Sequence, residues 1–135
     1  GHELQNHTYS HRNLRYLPDV EIERELIRTA NVIRRITGKS SRFFRPPGGH
    51  QNGNLAYATG KFGYSAIFWT VNCSKNEGTK PENIINQVSS EIKPGSIVLM
   101  HNLEDVTLMA LPSVIDSLRA KGYKLVTLSE LLSAS

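Results

Sequence analysis

The chain is poor in cysteine and in long apolar runs, and each shortage excludes a class of structure. Cys73 is the only cysteine, so no disulfide can form within the chain. A single cysteine fits a cytosolic protein, and equally a secreted protein from a bacterium that uses few cysteines. No apolar run approaches the ~18–20 residues of a transmembrane helix. No charged-then-apolar signal peptide opens the chain.

The net charge of +4 does not by itself indicate a nucleic-acid-binding protein. The basic residues are scattered, Arg34 and Arg35 are the only adjacent pair, and no groove-reading module is recognisable. The charge favours solubility, and it would also attract an anionic partner such as a cell-wall polymer. With 135 residues, of which 39% are hydrophobic, the chain is long enough for one domain with a core and too short for two domains. We therefore expect a single domain over residues 1–135.

Strand-like and helix-like segments alternate along the chain. Five strands are expected, at residues 1–8, 41–45, 66–71, 96–100 and 123–127. Helices are predicted over residues 19–37, 54–61, 81–92 and 108–121, with a last helical turn from Ser129. Strands that alternate with helices pair in parallel through crossovers, so the expected fold class is α/β. Polar residues follow several of these strands, where α/β folds place their active sites.

Three short segments carry residues that can do chemistry. His7 and His11 are four residues apart and meet on one face if the segment is helical or tightly turned. Imidazole is a favoured ligand of zinc and related metals. In residues 44–49, two prolines stiffen a turn and two glycine N–H groups could stabilise an oxyanion. His101 directly follows the apolar residues 96–100. Alone, these segments could be an exposed histidine pair, a rigid surface turn and a histidine bonded at a strand end.

Taken in order, the three segments resemble a known family. The stretches "NHTYSH" (6–11), "RFFRPPGG" (42–49) and "GSIVLMHN" (95–102) are similar to the second, third and fifth motifs of the polysaccharide deacetylases, carbohydrate esterase family 4. The likeness covers essentially the whole chain, down to the closing "GYKLVTLSELL" (122–132). It implies a distorted (β/α) barrel whose N-terminal strands are absent, so that residues 1–135 would be the C-terminal two-thirds of the catalytic domain.

The resemblance also implies an activity and a metal. The family removes N-acetyl, and sometimes O-acetyl, groups from polysaccharides such as peptidoglycan, chitin or a related N-acetylglucosamine polymer, and an extracellular or cell-wall location follows from that. His7 and His11 would bind a divalent metal, zinc before cobalt or nickel, and Thr8 would shape the loop between them. A Lewis-acid metal polarises the amide carbonyl and activates water, which makes this chemistry coherent.

The remaining motif residues receive roles by the same resemblance. Arg45 would orient a catalytic carboxylate, and His101 would be the general acid that protonates the departing amine. The Gly48 N–H would help to hold the oxyanion, and Leu99 would line the pocket for the acetyl methyl group. Trp69, at the approach to the fourth motif, would face the substrate.

Two features depart from the family's pattern. Asn72 and Lys75 stand where the fourth motif has carboxylates, and Asn76 replaces its usual tryptophan. The first motif, two adjacent aspartates that supply the base and the third metal ligand, has no counterpart, since the chain contains no Asp-Asp pair. We therefore expect an N-terminal segment to come from a second chain or a partner subunit. The alternative hypothesis is a non-catalytic, carbohydrate-binding relative with a decayed active site.

Overall fold

The structure, a computed structural model, describes residues 1–50, 53–73, 80–102 and 104–133. The chain divides into two compact units, an N-terminal unit over His2–Phe68 and a C-terminal unit over Trp69–Ser135 that also takes in Gly1. The described helices include none that is long and apolar enough to cross a membrane. The single-domain expectation stays a prediction.

In the N-terminal unit, helix α1 is Asp19–Thr37 and helix α2 is Gly53–Phe62. Helix α1 follows Pro18 and stops at Gly38, whose φ of 70° is a left-handed conformation that glycine adopts without steric cost. The helix predicted over residues 19–37 is confirmed, and Pro18 is its N-cap. The buried core of the unit comes from α1, α2, β1 and the segment just before α1: Leu14, Leu17, Ile22, Leu26, Phe44 and Ala58.

Parallel pairing, predicted for the whole fold, is confirmed in the N-terminal unit. Strand β1 (Phe43–Phe44) pairs with β2 (Ser65–Ala66), with Phe43 opposite Ser65 and Phe44 opposite Ala66. Asn6 adds a single parallel bridge beside Phe44. The strand expected over residues 1–8 is therefore one bridge. Phe44 is fully buried, which anchors the end of β1 in the core.

The described residues of the C-terminal unit show the same parallel pairing and form three α-helices. Strand β3 (Val71–Asn72) pairs with β4 (Val98–Leu99). Helices α3, α4 and α5 span Pro81–Glu91, Asp105–Ala120 and Leu128–Ser133. Helix α4 begins three residues before its predicted start at Leu108. The core of the unit is apolar and comes mainly from α3 and α4 with β3: Val71, Cys73, Ile84, Val88, Val106, Ala110, Val114 and Leu118.

Two strand predictions are wrong. Residues 66–71 are not one strand, because the chain changes partner within them. The Ile67 N–H donates to Phe44, whereas the Thr70 N–H donates to Ile97. Residues 123–127 form no strand. The Tyr123 N–H instead donates to Leu118 at the end of α4, and a β-rich sequence without a paired neighbour has no ladder to join.

Candidate functional site

Residues 7–11, which we call the histidine loop, have an unusual backbone. Thr8 has φ of 64° and His11 has φ of 56°, both in the left-handed region that residues other than glycine rarely adopt. A β-branched threonine is especially disfavoured there. Each such residue costs of order 1–3 kcal/mol, so its surroundings must hold it. The tight turn that the spacing of the histidines required is therefore present.

The loop brings its two imidazoles together. The ring centres of His7 and His11 are 4.9 Å apart, with their planes at 73°. His7 Nδ1 lies 2.5 Å from the backbone oxygen of Arg45. Because a carbonyl oxygen can only accept, Nδ1 is the donor in this contact, and in the neutral imidazole Nε2 then carries the lone pair. Metal-binding histidines are usually oriented by such a bond from the other ring nitrogen.

The spacing fits two ligands of one metal. Two imidazoles on a tetrahedral zinc, with Zn–N bonds of ~2.0–2.1 Å, place their ring centres roughly 5 Å apart. His7 and His11 match that separation. Within the described residues, no group of three or more His, Cys, Asp or Glu side chains could hold a metal ion. The pair therefore fits part of a metal site and not a complete one.

Asn6 fixes the start of the histidine loop. It is 1% exposed, and its side-chain oxygen accepts from the Thr8 N–H at 3.0 Å. Its amide nitrogen donates to the Leu26 backbone oxygen at 3.0 Å and to the Tyr64 hydroxyl at 2.8 Å. A buried amide is stable only when its polar atoms are paired in this way. Asn6 thus ties the left-handed Thr8 to helix α1 and to the core.

Glu25, on α1, holds the middle of the loop. It is only 6% exposed, yet it carries a carboxylate. Its Oε2 accepts from the Tyr9 N–H at 3.0 Å and from the Ser10 N–H at 2.7 Å, and its Oε1 accepts from Ser10 Oγ at 2.7 Å. Burial alone would raise the pKa of Glu25, but the bonds from Ser10 and Tyr9, with the charge of Arg12, outweigh it and lower that pKa.

Arg45 follows β1 directly, and its side chain forms no ion pair with the described residues. Its Nε is buried and has no hydrogen-bond partner in the described part of the chain, and the same holds for Thr8 Oγ1. Burial lowers the pKa of the Arg45 guanidinium, although arginine stays charged at neutral pH. A buried Nε–H without a partner is costly, which makes this position suited to an anionic partner.

The turn after Arg45 depends on its glycines. Residues Pro47–Gly49 form a 3-10 turn in which Gly48 and Gly49 both have φ of 67°. A Cβ on Gly48 would lie 2.9 Å from Nε2 of His50, so no other residue fits without displacing that ring. The Gly49 N–H closes the turn by donating to the Pro46 oxygen at 3.0 Å. Of the two glycine N–H groups considered for an oxyanion, that of Gly48 remains the candidate.

The other predicted site residues belong to the C-terminal unit. Leu99 is buried in β4, opposite Asn72 of β3. The backbone oxygen of Asn72 accepts from Gln87 Nε2 at 2.9 Å. His101 is exposed after β4, and Trp69 is half-buried shortly before β3. Their placement relative to the histidine loop stays a prediction. Lys75 and Asn76, the other departures in the fourth motif, lie outside the described residues.

Sequence reasoning missed Asn6 and Glu25, the two residues that hold the loop. Asn6 opens the "NHTYSH" stretch but carried no assigned role. In α1, Glu25 comes three residues after Ile22 and directly before Leu26, so it lies on the apolar face of the helix. An acidic side chain is unusual there. An acidic side chain on a core-facing stripe signals a buried carboxylate with specific partners.

Comparison with known proteins decides the family. The family model for polysaccharide deacetylase matches residues 1–67. A chitooligosaccharide deacetylase from Azorhizobium caulinodans is 31% identical over 140 residues, which cover 93% of the chain and 67% of that protein. The chain belongs to the polysaccharide deacetylase family. A peptidoglycan-N-acetylglucosamine deacetylase from Bacillus cereus is 33% identical, and the match covers 100% of the chain and 50% of that protein.

The solved structures of the family agree in fold. A pseudoenzyme of carbohydrate esterase family 4 from Bacillus anthracis superposes with a TM-score of 0.88 at 34% identity, over 96% of the chain and 46% of that protein. A mutant of that pseudoenzyme, described as having restored enzymatic activity, matches with the same TM-score. The distorted barrel predicted for the family is confirmed, and the chain carries a partial α/β portion of it. The chain spans about half to two thirds of the length of these curated relatives.

Proposed function

We propose that the protein takes part in the metal-dependent removal of N-acetyl or O-acetyl groups from a polysaccharide. The observation that carries this proposal is the histidine loop. Two imidazoles lie 4.9 Å apart, and one of them is oriented by the backbone of Arg45 from the neighbouring motif. Two motifs that are distant in sequence thus converge on one spot, which a chance pair of histidines would not explain.

In this proposal, His7 and His11 hold a divalent metal, zinc before cobalt or nickel. When bound, such a metal polarises the acetyl carbonyl and activates water. Arg45 pairs with a carboxylate that the described residues do not supply, in keeping with its buried Nε. The Gly48 N–H faces the oxygen that gains charge as water adds to the acetyl carbon. His101 gives its proton to the amine nitrogen as the C–N bond breaks and acetate leaves.

The substrate and location follow from the relatives. Proteins similar to the chain are named as deacetylases of peptidoglycan N-acetylglucosamine and of chitooligosaccharides, and both of these glycans contain N-acetylglucosamine. We propose an acetylated polysaccharide of this class as the substrate, with Leu99 and Trp69 facing it. Because peptidoglycan is a cell-wall polymer, an extracellular or cell-wall location is proposed with it. The expectation of a second chain or partner subunit stays a prediction.

A second candidate is a non-catalytic, carbohydrate-binding relative. One observation favours it: Asn72 stands in β3 where the family has a carboxylate, and a neutral amide cannot support a catalytic charge in the same way. The similar structure of a pseudoenzyme shows that the family fold can persist without activity. In this case the protein would bind the polysaccharide and release no acetate.

Acetate release from N-acetylglucosamine oligomers and from peptidoglycan separates the two candidates. The assay uses the protein as its complete gene encodes it, with added zinc, and His7→Ala as the matched variant. Zinc-dependent release of acetate that His7→Ala abolishes supports deacetylation. Retained binding of the glycan without any acetate release contradicts deacetylation and supports the carbohydrate-binding relative.

A further inference from the structure

Helix α1 contacts the histidine loop at two neighbouring residues, Tyr9 and Ser10. Glu25 accepts hydrogen bonds from the Tyr9 and Ser10 amides and from the Ser10 hydroxyl, at 2.7–3.0 Å. One turn further along the same helix, the guanidinium carbon of Arg28 lies 3.8 Å from the ring centre of Tyr9. Tyr9 and Ser10 come immediately before His11 in the chain, and Thr8 separates them from His7. The helix therefore holds the part of the loop that connects the two imidazoles.

The backbone on either side of Tyr9 and Ser10 is strained. Thr8 precedes Tyr9, and His11 follows Ser10. Thr8 and His11 are the two residues other than glycine in the described chain that have a left-handed backbone conformation. Without an external hold, both would relax toward ordinary negative φ values. Such a rotation at either residue would swing one imidazole away from the other. The separation of the rings thus depends on contacts outside the loop.

Glu25 is suited to supply that hold. Two successive N–H groups and a hydroxyl point at one carboxylate, and bonds to an ionised acceptor are about twice as strong as neutral ones. Glu25 as a residue is 6% exposed, so water competes little for those donors. Neither His7 nor His11 touches it in these bonds, so it acts on the site through the loop backbone.

We propose that Glu25 is a positioning residue that pre-forms the metal site by holding the histidine loop in its left-handed conformation before a metal binds. Pre-formation raises affinity because the metal then does not bear the cost of ordering its ligands. The inference rests on the proposed function of His7 and His11 as metal ligands. It extends that function to a residue on a different element of the chain.

Zinc titration by calorimetry tests this on the full chain with two substitutions at the site. Glu25→Gln keeps the size of the side chain and removes its charge, and Ser10→Ala removes one of the three bonds. The matched control is Glu23→Gln, an acid on the same helix that pairs with Lys61 at the surface. We expect zinc affinity to fall about tenfold or more in Glu25→Gln, as for other outer partners of metal ligands. A smaller loss is expected in Ser10→Ala and none in Glu23→Gln.

Amide hydrogen exchange without metal supplies a second readout. Tyr9 and Ser10 amides should be protected in the wild type and should exchange faster in Glu25→Gln, while the amides of α1 stay protected. Equal zinc affinity in folded Glu25→Gln and wild type would overturn the inference. If the wild type itself binds no zinc, the proposed metal site fails, and exchange alone then decides on Glu25. Equal exchange at Tyr9 and Ser10 in both proteins would contradict the claim that Glu25 restrains the histidine loop. Faster exchange in the variant would support that claim.

Discussion

The two units of the molecule treat buried polar groups differently. Three of the four buried polar or charged residues among those described lie in the N-terminal unit: Asn6, Thr8 and Glu25. All three belong to the histidine loop or bond to it. The C-terminal unit contributes Thr107 alone to this group. Because a buried polar group is costly unless it is paired, their concentration around one loop marks a conformation that the fold specifies closely.

The match to the family model ends near the boundary between the two units, although the relatives match almost the whole chain. The family model matches residues 1–67, close to the bounds of the N-terminal unit at His2–Phe68. The C-terminal unit holds the proposed acid, His101, and the departure at Asn72. In the proposed function, the N-terminal unit supplies the metal ligands and the C-terminal unit supplies the acid.

The largest expected effect tests the role of the C-terminal unit. In the complete protein, His101→Ala should lower turnover by ~10²–10⁴-fold, the usual contribution of a positioned acid, with zinc affinity unchanged. Steady-state acetate release and zinc titration measure the two quantities. A loss of zinc binding equal to the loss of turnover would show that His101 is a ligand and not the acid.

A pair of core substitutions then separates stability from site formation. Ile84→Ala, in the apolar core of the C-terminal unit, should lower the free energy of unfolding by about 2–5 kcal/mol and leave zinc affinity alone. Asn6→Ala should cost about 1–3 kcal/mol, because it leaves the buried Thr8 N–H without its partner and removes the bond to the Leu26 oxygen. It should also weaken zinc binding. Urea unfolding measures the free energy of unfolding, and calorimetry measures the zinc affinity. Unchanged zinc affinity in Asn6→Ala would contradict the claim that the buried polar residues of the N-terminal unit form the metal site.

The acid dependence of stability should differ between the wild type and Glu25→Gln. The pKa of Glu25 is lower in the folded protein than its usual value of 4.5. Such a group stabilises the fold above its unfolded pKa, and the stabilisation is lost as the pH falls through the folded pKa. The difference in unfolding free energy between the two proteins should thus be largest near neutral pH and shrink in acid. A difference that is the same at both ends of the range would contradict this.

The smallest effect compares a turn from each unit. Gly48 and Gly95 both have positive φ, but only at Gly48 does another side chain occupy the space of a Cβ. Alanine at either position should cost about 1 kcal/mol or somewhat more through backbone strain. Gly48→Ala should cost more than Gly95→Ala because the ring of His50 must also move. Thermal unfolding of both variants measures the excess, and equal losses would show that His50 is not held against the turn.

Much of the N-terminal unit could be predicted from sequence because its signals are local. The apolar period of α1 and the glycine at its end locate that helix almost to the residue. The left-handed Thr8 could not be predicted, since it depends on Asn6 and on a carboxylate from α1. The strand predictions over residues 66–71 and 123–127 are wrong for the same physical reason. β-propensity reports a side chain's fitness for a sheet, whereas a strand also requires a partner that the local sequence does not reveal.

The central claim is that His7 and His11 bind one metal ion together. Titration of zinc into the full chain should show one binding event in the wild type and in His2→Ala, an exposed histidine outside the loop. Both His7→Ala and His11→Ala should lose that event, because a single imidazole is a weak ligand on its own. Equal zinc binding by wild type and His11→Ala would contradict the account.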